Sequence, residues 1–359
     1  DDGNGGVDGN DTNEGEAGGN GNGGEAESDG NSADSGNDGS NGDNGNGSEE
    51  NEDDGTVSGT EKTEGGDSEE GGDGDSGEDG EGGEGGEDAE GETGADTFLM
   101  PTATGTVYTA ETLTYSFLSS NFYNISSSTV VYESELNGSL LEVPLTLSEI
   151  TEEPQILIYH THSHEFFADS DTSNLETGIV GVGNYLAELL EGYGYSVLHL
   201  TDQFDYVDGV LDRSKAYTYA GVRLKEVLAE YPTIEVMIDL HRDGVDDGLH
   251  LVTEINGKST AMIMFFNGMS RTTSGNISYL PNTNLEANLA FSLQLKVKAE
   301  AYYPGFTRKN YVKPYRYNLH LLEKALLIEA GAQTNTFEEV KNAMEPLAVL
   351  LHIQLSGLE

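Results

Sequence analysis

The stretch PQILIYHTHSHEFFADS, residues 154–170, indicates both the fold and the position of a site. Its apolar run Gln155–Tyr159 is short and stands between polar residues, as in a buried central strand. Three histidines at alternate positions and a glutamate follow it directly: His160, His162, His164 and Glu165. Imidazoles and carboxylates bind metals and transfer protons, so the sequence predicts chemistry where this strand ends.

Segments of strand and helix character alternate along the rest of the chain. Apolar residues recur at helical spacing in four segments: 176–193, 212–230, 285–302 and 337–351. Short apolar runs predict five more strands: 196–200, 234–240, 249–254, 260–266 and 325–329. This alternation predicts the α/β class, with a mostly parallel sheet flanked by helices.

The segment upstream of Pro154 lacks this alternation. Residues 97–153 hold only short extended-looking runs, at 106–108, 129–132 and 140–147. Gly, Asn and Ser residues separate these runs, which predicts strands or irregular structure. We expect this lead-in segment to pack on a domain that spans residues 154–359.

Residues 1–96 differ in composition from everything that follows. The first 100 residues contain 33 of the 66 Asp and Glu residues and 31 of the 48 glycines, with Lys62 as the sole basic residue. Almost nothing in this arm can be buried, so it predicts a disordered acidic, Gly-rich linker that acts as a tether. Its Asp, Asn and Gly runs also suggest weak calcium binding, although no stretch matches a complete calcium loop.

The composition of the whole chain excludes several classes of function. A net charge of -50 argues against nucleic acid as the main partner. The absence of cysteine excludes disulfides, thiolate metal sites and cysteine nucleophiles. No run of 18 apolar residues is present to span a membrane. Because the chain starts at Asp1, we expect a signal peptide or membrane anchor upstream of it.

A second group of polar residues follows another predicted strand. His241, Arg242 and Asp243 come directly after the apolar strand 234–240. Sites in open α/β sheets lie at the carboxyl ends of strands, so this group is expected near His162. Taken alone, His241 is more typical of a core histidine, but two strand-end histidines together favour metal ligands. Arg242 and Asp243 either pair with each other or orient those ligands.

A zinc site needs a third protein ligand, and without cysteine this ligand is a carboxylate. Glu165 and Glu176 are the two candidates. Glu165 is close to His162 in sequence but could point to solvent, and Glu176 opens a predicted helix, where it could simply stabilise the dipole. His162 could instead belong to a hydrogen-bonded pair that orders a turn. His160, which is nearer the strand, is expected to be a buried partner of the ligands.

Glu329 ends the last predicted strand, after the apolar residues Leu326–Ile328. An ionised carboxylate in such a place is costly without a cation or hydrogen-bond donors. Beside a metal, Glu329 would serve as a general base that takes a proton from water and passes it to a leaving amine. The alternative is a structural salt bridge, for example to Arg316.

Several long blocks of the sequence resemble the stage II sporulation protein P family. The resemblance runs from about Asn121 to Leu351 and excludes the acidic arm. The blocks keep their order and spacing: 154–170 as quoted, VGVGNYL at 180–186, LDRSKAYTYAG at 211–221, IEVMIDLHRDGV at 234–245, TAMIMFFNG at 260–268 and YRYNLHLLEKALLIEAGAQTNTFEEVKNAMEPLA at 315–348. His164 departs from the family block, which has a small or polar residue there.

This resemblance implies an amidase-like fold and a chemistry similar to that of zinc-dependent N-acetylmuramoyl-L-alanine amidases. It implies that His162, Glu176 and His241 bind Zn²⁺ and that Glu329 is the general base, which favours Glu176 over Glu165. The implied substrate is peptidoglycan, cut between N-acetylmuramic acid and L-alanine, or within peptide cross-links, during engulfment of the forespore. The implied partner is a glycan-cutting protein similar to stage II sporulation protein D, and the implied location is outside the cytoplasmic membrane.

Two other interpretations stay open at this point. One is an inactive domain of the same fold that binds cell wall or a partner, and the other is a zinc carboxypeptidase-like enzyme that acts on peptides. An inactive scaffold has no need of His162, Glu176, His241 and Glu329 together, so their joint presence favours an enzyme.

Overall fold

The computed structural model describes residues 100–358, so the acidic arm at 1–96 lies outside the described residues. The helices are α1 Tyr115–Asn121, α2 Ile179–Gly192, α3 Ala216–Glu230, α4 Leu285–Tyr302 and α5 Phe337–Ser356. Short 3-10 turns occur at Gly138–Glu142, Leu175–Thr177 and Leu319–Leu321. Within residues 100–358, no helix combines the length and the apolar character needed to cross a membrane.

The strands fall into one large sheet and three small hairpins. They are β1 Tyr123–Ile125, β2 Ile156–Tyr159, β3 Val197–His199, β4 Tyr206–Val207, β5 Val210–Leu211, β6 Val236–Asp243, β7 Val252–Ile255, β8 Lys258–Ala261, β9 Ile263–Gly268, β10 Arg271–Thr272, β11 Gly275–Asn276, β12 Asn310–Lys313 and β13 Lys324–Ala332. The hairpins are β4–β5, β7–β8 and β10–β11.

The central sheet has seven strands in the order β1-β12-β9-β13-β6-β2-β3. Five of its six strand pairs are parallel, and β9 with β13 is the antiparallel exception. The sheet is therefore two parallel blocks that run in opposite directions. The predicted α/β class with a mostly parallel sheet is confirmed.

Both faces of the sheet are covered by apolar layers, which is why its strands read as unbroken apolar runs. Ile156 and Ile158 of β2 point into a core shared with α2, α4 and α5. Leu157 and Tyr159, the alternate residues, point into a second core built on α3. Side chains of a strand alternate between faces, so β2 contributes to both cores.

The lead-in segment is organised differently from its prediction. The runs 106–108, 129–132 and 140–147 are not strands; β1 pairs in parallel with β12 instead. Neither of these two strands was predicted, because YNI and NYVK are short and contain no apolar run; β1 is the edge strand of the sheet, and β12 lies next to it. The predicted strand 260–266 is also divided at Met262, between hairpin strand β8 and sheet strand β9.

The long strand β13 changes its register with β6 just after Glu329. Its pairing with β6 shifts between Glu329 and Ala332. Gly331 has a φ of 63°, and a Cβ there would lie 2.9 Å from Asn335 Oδ1. A side chain at this position would be strained by both the backbone and the neighbouring amide, so glycine permits the irregularity that follows Glu329.

Candidate metal centre

Three neighbouring parallel strands bring the candidate residues to one edge of the sheet. β2 ends at Tyr159 and the chain continues into the loop 160–165. The adjacent strand β6 carries His241, and β13 carries Glu329 directly beside it in register. Since the carboxyl ends of β2, β6 and β13 meet at this edge, residues distant in sequence become neighbours.

His162, Glu165 and His241 form a compact cluster at this edge. One ligand atom from each residue lies within 4.8 Å of the other two. His162 Nδ1 is 3.2 Å from Glu165 Oε1, and His241 Nδ1 is 3.4 Å from Glu165 Oε2. Glu165 and His241 are buried, so their charges act on each other with little screening by water.

Asp239 supports this cluster from behind. Its Oδ1 atom lies 2.8 Å from His241 Nε2, and its carboxylate accepts hydrogen bonds from the backbone N (2.8 Å) and Oγ1 (2.7 Å) of Thr161. A carboxylate next to Nε2 favours the tautomer whose Nδ1 lone pair faces Glu165. Asp239 was not predicted from the sequence, although an acidic residue inside the apolar run IEVMIDL is as costly to bury as Glu329.

The buried charges shift the pKa values within the cluster. Burial alone would lower the pKa of His241, but the charges of Asp239 and Glu165 raise it well above its usual value. Burial alone would raise the pKa of Glu165, yet His241 and His162 bring it well below its usual value. Two ionised carboxylates around two imidazoles make this a place that attracts a positive charge.

Glu329 stands beside the cluster as an unsatisfied carboxyl group. Its Oε2 atom is buried, and no group in residues 100–358 hydrogen-bonds to it. Burial is the main cause that raises the pKa of Glu329 to about 8. Arg316, the alternative salt-bridge partner, donates through Nη1 to the carbonyl of Pro281 at 3.4 Å. Glu329 therefore borders the His–Glu–His cluster without belonging to it.

Glu176, the ligand implied by the resemblance, lies elsewhere. It is exposed in the turn before α2, where its Oε2 accepts a 2.6 Å hydrogen bond from Asn184 Nδ2. Asn184 Oδ1 is 2.8 Å from His199 Nδ1, and His199 Nε2 is 2.8 Å from His160 Nε2. Glu176 thus ends a separate polar chain, and the structure brings Glu165 to His162 and His241 in its place.

His160 is buried, as expected, but its partners are not metal-ligand side chains. Its Nδ1 atom lies 2.7 Å from the carbonyl oxygen of Leu240, the residue before His241. Its other side packs against α2 at Gly183, where a Cβ would come within 2.7 Å of both His160 Nε2 and His199 Nε2. The absence of a side chain at Gly183 makes room for this pair of imidazoles.

The two residues after His241 are held by different groups. The backbone N of Arg242 donates to Glu165 Oε2 at 2.9 Å, and its Nε donates to the carbonyl of Phe166 at 3.0 Å. Asp243 Oδ2 forms a 2.6 Å ion pair with Arg308 Nη1. Arg242 therefore orients Glu165 through its backbone, and Asp243 forms its ion pair with Arg308.

The additional histidine, His164, turns to the rim of the site. Its Nδ1 is 3.1 Å from Oδ1 of the buried Asp205, and its ring stacks on Tyr206 at 4.7 Å. Arg213 Nη2 donates to the carbonyl of His164 at 3.1 Å. Asp205 and Arg213 were also missed, because both lie in a loop whose path brings them back to the site only in the folded chain.

The donor set and its spacing fit a zinc ion. Two imidazole nitrogens and one carboxylate form a zinc ligand set that leaves a fourth position open. With metal–ligand bonds of about 2.0–2.2 Å, the ligand atoms of a tetrahedral site lie about 3.3–3.6 Å apart. The imidazoles approach Glu165 at 3.2 and 3.4 Å, at different oxygens of its carboxylate, and one ligand atom from each of the three residues lies within 4.8 Å of the other two.

The fold and the site together describe an α/β protein with a candidate His–Glu–His metal centre at strand ends. The chain belongs to the stage II sporulation protein P family, whose profile matches residues 16–352. The stage II sporulation protein P of Bacillus subtilis (strain 168) is 27% identical over 208 residues, which are 54% of this chain and 49% of that protein. The chain thus spans about half the length of this curated relative.

Several solved structures resemble the chain at a distance. The CwlD amidase from Clostridioides difficile, in complex with the GerS lipoprotein, has a TM-score of 0.34 and 14% identity, covering 56% of this chain and 96% of that one. The N-acetylmuramoyl-L-alanine amidase AmiC2 of Nostoc punctiforme has a TM-score of 0.34 and 14% identity, covering 57% and 97%. Similarity at this level assigns no role to any residue of this chain.

Proposed function

We propose that this protein is a zinc-dependent peptidoglycan hydrolase that cleaves the amide bond between N-acetylmuramic acid and the L-alanine of the stem peptide. The observation that carries the proposal is the meeting of His162, Glu165 and His241 with the unsatisfied carboxyl of Glu329 at three adjacent strand ends. Hydrolysis by a metal and a general base requires a set of metal ligands and, next to it, a carboxyl group that does not bind the metal.

In this proposal His162, Glu165 and His241 hold the zinc ion, and Asp239 orients His241. Zinc supplies Lewis acidity that activates water and polarises the scissile carbonyl. Glu329 takes a proton from the attacking water, whose oxygen bonds to the carbonyl carbon. The carbon–nitrogen bond breaks, and Glu329 returns the proton to the amine of L-alanine.

The surroundings of Glu329 suit this role. Burial favours its protonated form, and a nearby cation favours its ionised form, so an ion in the cluster would prepare the carboxylate to accept a proton. The absence of a hydrogen-bond partner on Oε2 in the described part of the chain leaves that atom available to water. A structural carboxylate would be expected to have donors in place.

Family membership supports a role in sporulation, since the family is named for one of its stages. We propose that the chain acts outside the cytoplasmic membrane during engulfment, with a partner similar to stage II sporulation protein D. We also propose that residues 1–96 tether the catalytic part, and that cleavage within peptide cross-links is a second activity.

Mass spectrometry of purified peptidoglycan after incubation with the protein tests this proposal. The expected products are stem peptides with a free L-alanine amine and glycan with a free lactyl carboxyl group. Metal content is measured on the same sample, with about one zinc per chain expected. Products cut only within peptides would indicate an endopeptidase, and intact peptidoglycan with a zinc-loaded protein would indicate a binding scaffold.

A further inference from the structure

Arg213 lies at the rim of the metal centre, and only part of its guanidinium group forms a hydrogen bond with the rest of the protein. It follows hairpin β4–β5 and precedes α3. Nη2 donates to the carbonyl of His164 at 3.1 Å, whereas Nε is buried without a hydrogen-bond partner in residues 100–358. About 30% of the side chain is exposed, so a ligand can reach it.

Two carboxylates are close to Arg213, but neither is bonded to it. Nη1 is 3.8 Å from Glu165 Oε1, and Nε is 3.9 Å from Asp205 Oδ2. Both separations exceed the length of a hydrogen bond. Attraction at this distance holds the guanidinium near the site, and Nε has no hydrogen-bond acceptor in residues 100–358.

The oxygens of these two carboxylates already have other partners. Asp205 accepts from Ser163 Oγ at 2.8 Å and from the backbone N of His164 at 3.1 Å. Glu165 faces His162 and His241 and accepts from the backbone N of Arg242. The oxygens of Asp205 and Glu165 are therefore largely occupied by hydrogen bonds from other groups, although Arg213 lies close to both carboxylates.

A guanidinium in this state is suited to bind a carboxylate from a ligand. Its planar fork of N–H donors matches the two oxygens of a carboxylate, and such charge-assisted pairs are the strong ones. A ligand carboxylate that reaches the exposed part of this guanidinium would therefore form charge-assisted hydrogen bonds and gain affinity.

We infer that Arg213 binds a carboxylate of the acidic stem peptide, on the residue that follows L-alanine. This inference rests on the proposed function, because the stem supplies the ligand. In stems where D-glutamate is joined to L-alanine through its amino group and to the next residue through its side-chain carboxyl, the α-carboxylate is free and lies about 5 Å from the alanine Cα. The 3.8 Å approach of Arg213 to Glu165 places the guanidinium beside a proposed zinc ligand, at the start of the stem.

The test compares two muropeptides that differ at one group, the glutamate α-carboxylate or its carboxamide. We expect the wild-type protein to cleave the carboxylate form with a kcat/KM about 10- to 100-fold higher, the range for one hydrogen bond to a charged group. Arg213→Met should remove this preference by slowing only the carboxylate substrate, and Arg213→Lys should restore part of it. Arg223→Met is the matched control, since Arg223 lies on α3 facing Asp202 and Glu226.

A second readout does not depend on turnover. Calorimetry with metal-free protein should show that the released stem peptide binds more tightly as the carboxylate than as the carboxamide, and that Arg213→Met removes this difference. Equal cleavage of both substrates by the wild type, or a preference that survives Arg213→Met, would overturn the inference. An equal loss on both substrates with loss of zinc would make Arg213 structural. Cleavage of neither substrate would refute the proposed function, and calorimetry would still decide the carboxylate site.

Discussion

Two polar clusters lie near the end of strand β2, and each contains a histidine from the segment 160–164. The first, which we name the metal cluster, consists of His162, Glu165, Asp239 and His241. The second, the histidine-pair cluster, consists of His160, His199, Asn184 and Glu176. The first gathers carboxylates around imidazoles, and the second places two imidazoles against each other.

The two clusters have opposite electrostatic character. In the histidine-pair cluster, burial is the main cause that lowers the pKa of His160 to about 4 and that of His199 to about 3. In the metal cluster, carboxylate charges outweigh burial and raise the pKa of His241. The pKa values of His160 and His241 thus shift in opposite directions because of their neighbours, and of the two histidines only His241 is surrounded by carboxylates.

The largest effect is expected from Glu329→Gln, which keeps the shape of the side chain but cannot accept a proton. Turnover should fall about 10²- to 10⁴-fold, the usual contribution of general acid–base catalysis. Zinc content should stay near the wild-type level, because Glu329 lies outside the metal cluster. The acidic limb of the pH–rate profile should also disappear. Joint loss of zinc and turnover would instead make Glu329 a ligand.

The comparison of the clusters is tested most directly by Glu165→Gln against Glu176→Gln. We expect Glu165→Gln to weaken zinc binding by more than about 100-fold, since even outer-shell changes cost 10- to 100-fold. Glu176→Gln should keep the metal, because its carboxylate bonds to Asn184. Zinc affinity measured by chelator competition checks both. Loss of zinc only in Glu176→Gln would reverse our assignment of the third ligand.

The affinity for zinc should depend on pH in a direction set by the metal cluster. The pKa of His241 is raised in the metal-free protein, so a proton occupies it at neutral pH and must leave when the metal binds. The pKa of Glu165 is lowered, so this ligand is already ionised. The apparent affinity should therefore rise between pH 6 and 8, by up to about tenfold per pH unit for one proton released. A flat profile would contradict the role of His241.

The histidine-pair cluster should matter for stability and not for metal. In Gly183→Ala the new methyl group would meet both imidazoles at 2.7 Å. We expect a loss of about 1–3 kcal/mol in the free energy of unfolding, typical of overpacking, with zinc affinity little changed. Gly192→Ala in the same helix, where a Cβ meets nothing within 4 Å, is the control and should be neutral or stabilise by up to about 1 kcal/mol. Denaturant unfolding measures both variants.

The smallest effect is expected from removal of residues 1–96. Their composition offers almost no apolar surface to bury, so a chain that begins near Thr97 should keep its melting temperature and its activity in solution. Thermal unfolding of the two forms makes the comparison. A large drop in the melting temperature would show that the arm takes part in the fold and is no mere tether.

Much of the architecture could be predicted because it depends on local pattern. The helix 285–302 has the predicted bounds, and the apolar runs around Ile158, Ile238 and Leu327 are neighbouring strands of one sheet. The short strands β1 and β12 could not be predicted, since they hold few apolar residues and are stabilised by pairing with strands distant in the chain, β1 with β12 and β12 also with β9. Pairing between segments almost 190 residues apart leaves no periodicity in either one.

The positions of His162, His241 and Glu329 near the carboxyl ends of strands could be predicted from local pattern, because an apolar run precedes each of them, although β6 and β13 continue past His241 and Glu329 to Asp243 and Ala332. The placement of Glu165 beside His162 and His241, in place of Glu176, follows only from the folded chain, because β2 ends at Tyr159 and the direction of a side chain in a loop does not follow from spacing. The same is true of Arg213, which reaches the carbonyl of His164 from a loop almost 50 residues further along the chain. Local order is encoded in nearby residues, whereas the charge environment of a site depends on how the strands assemble.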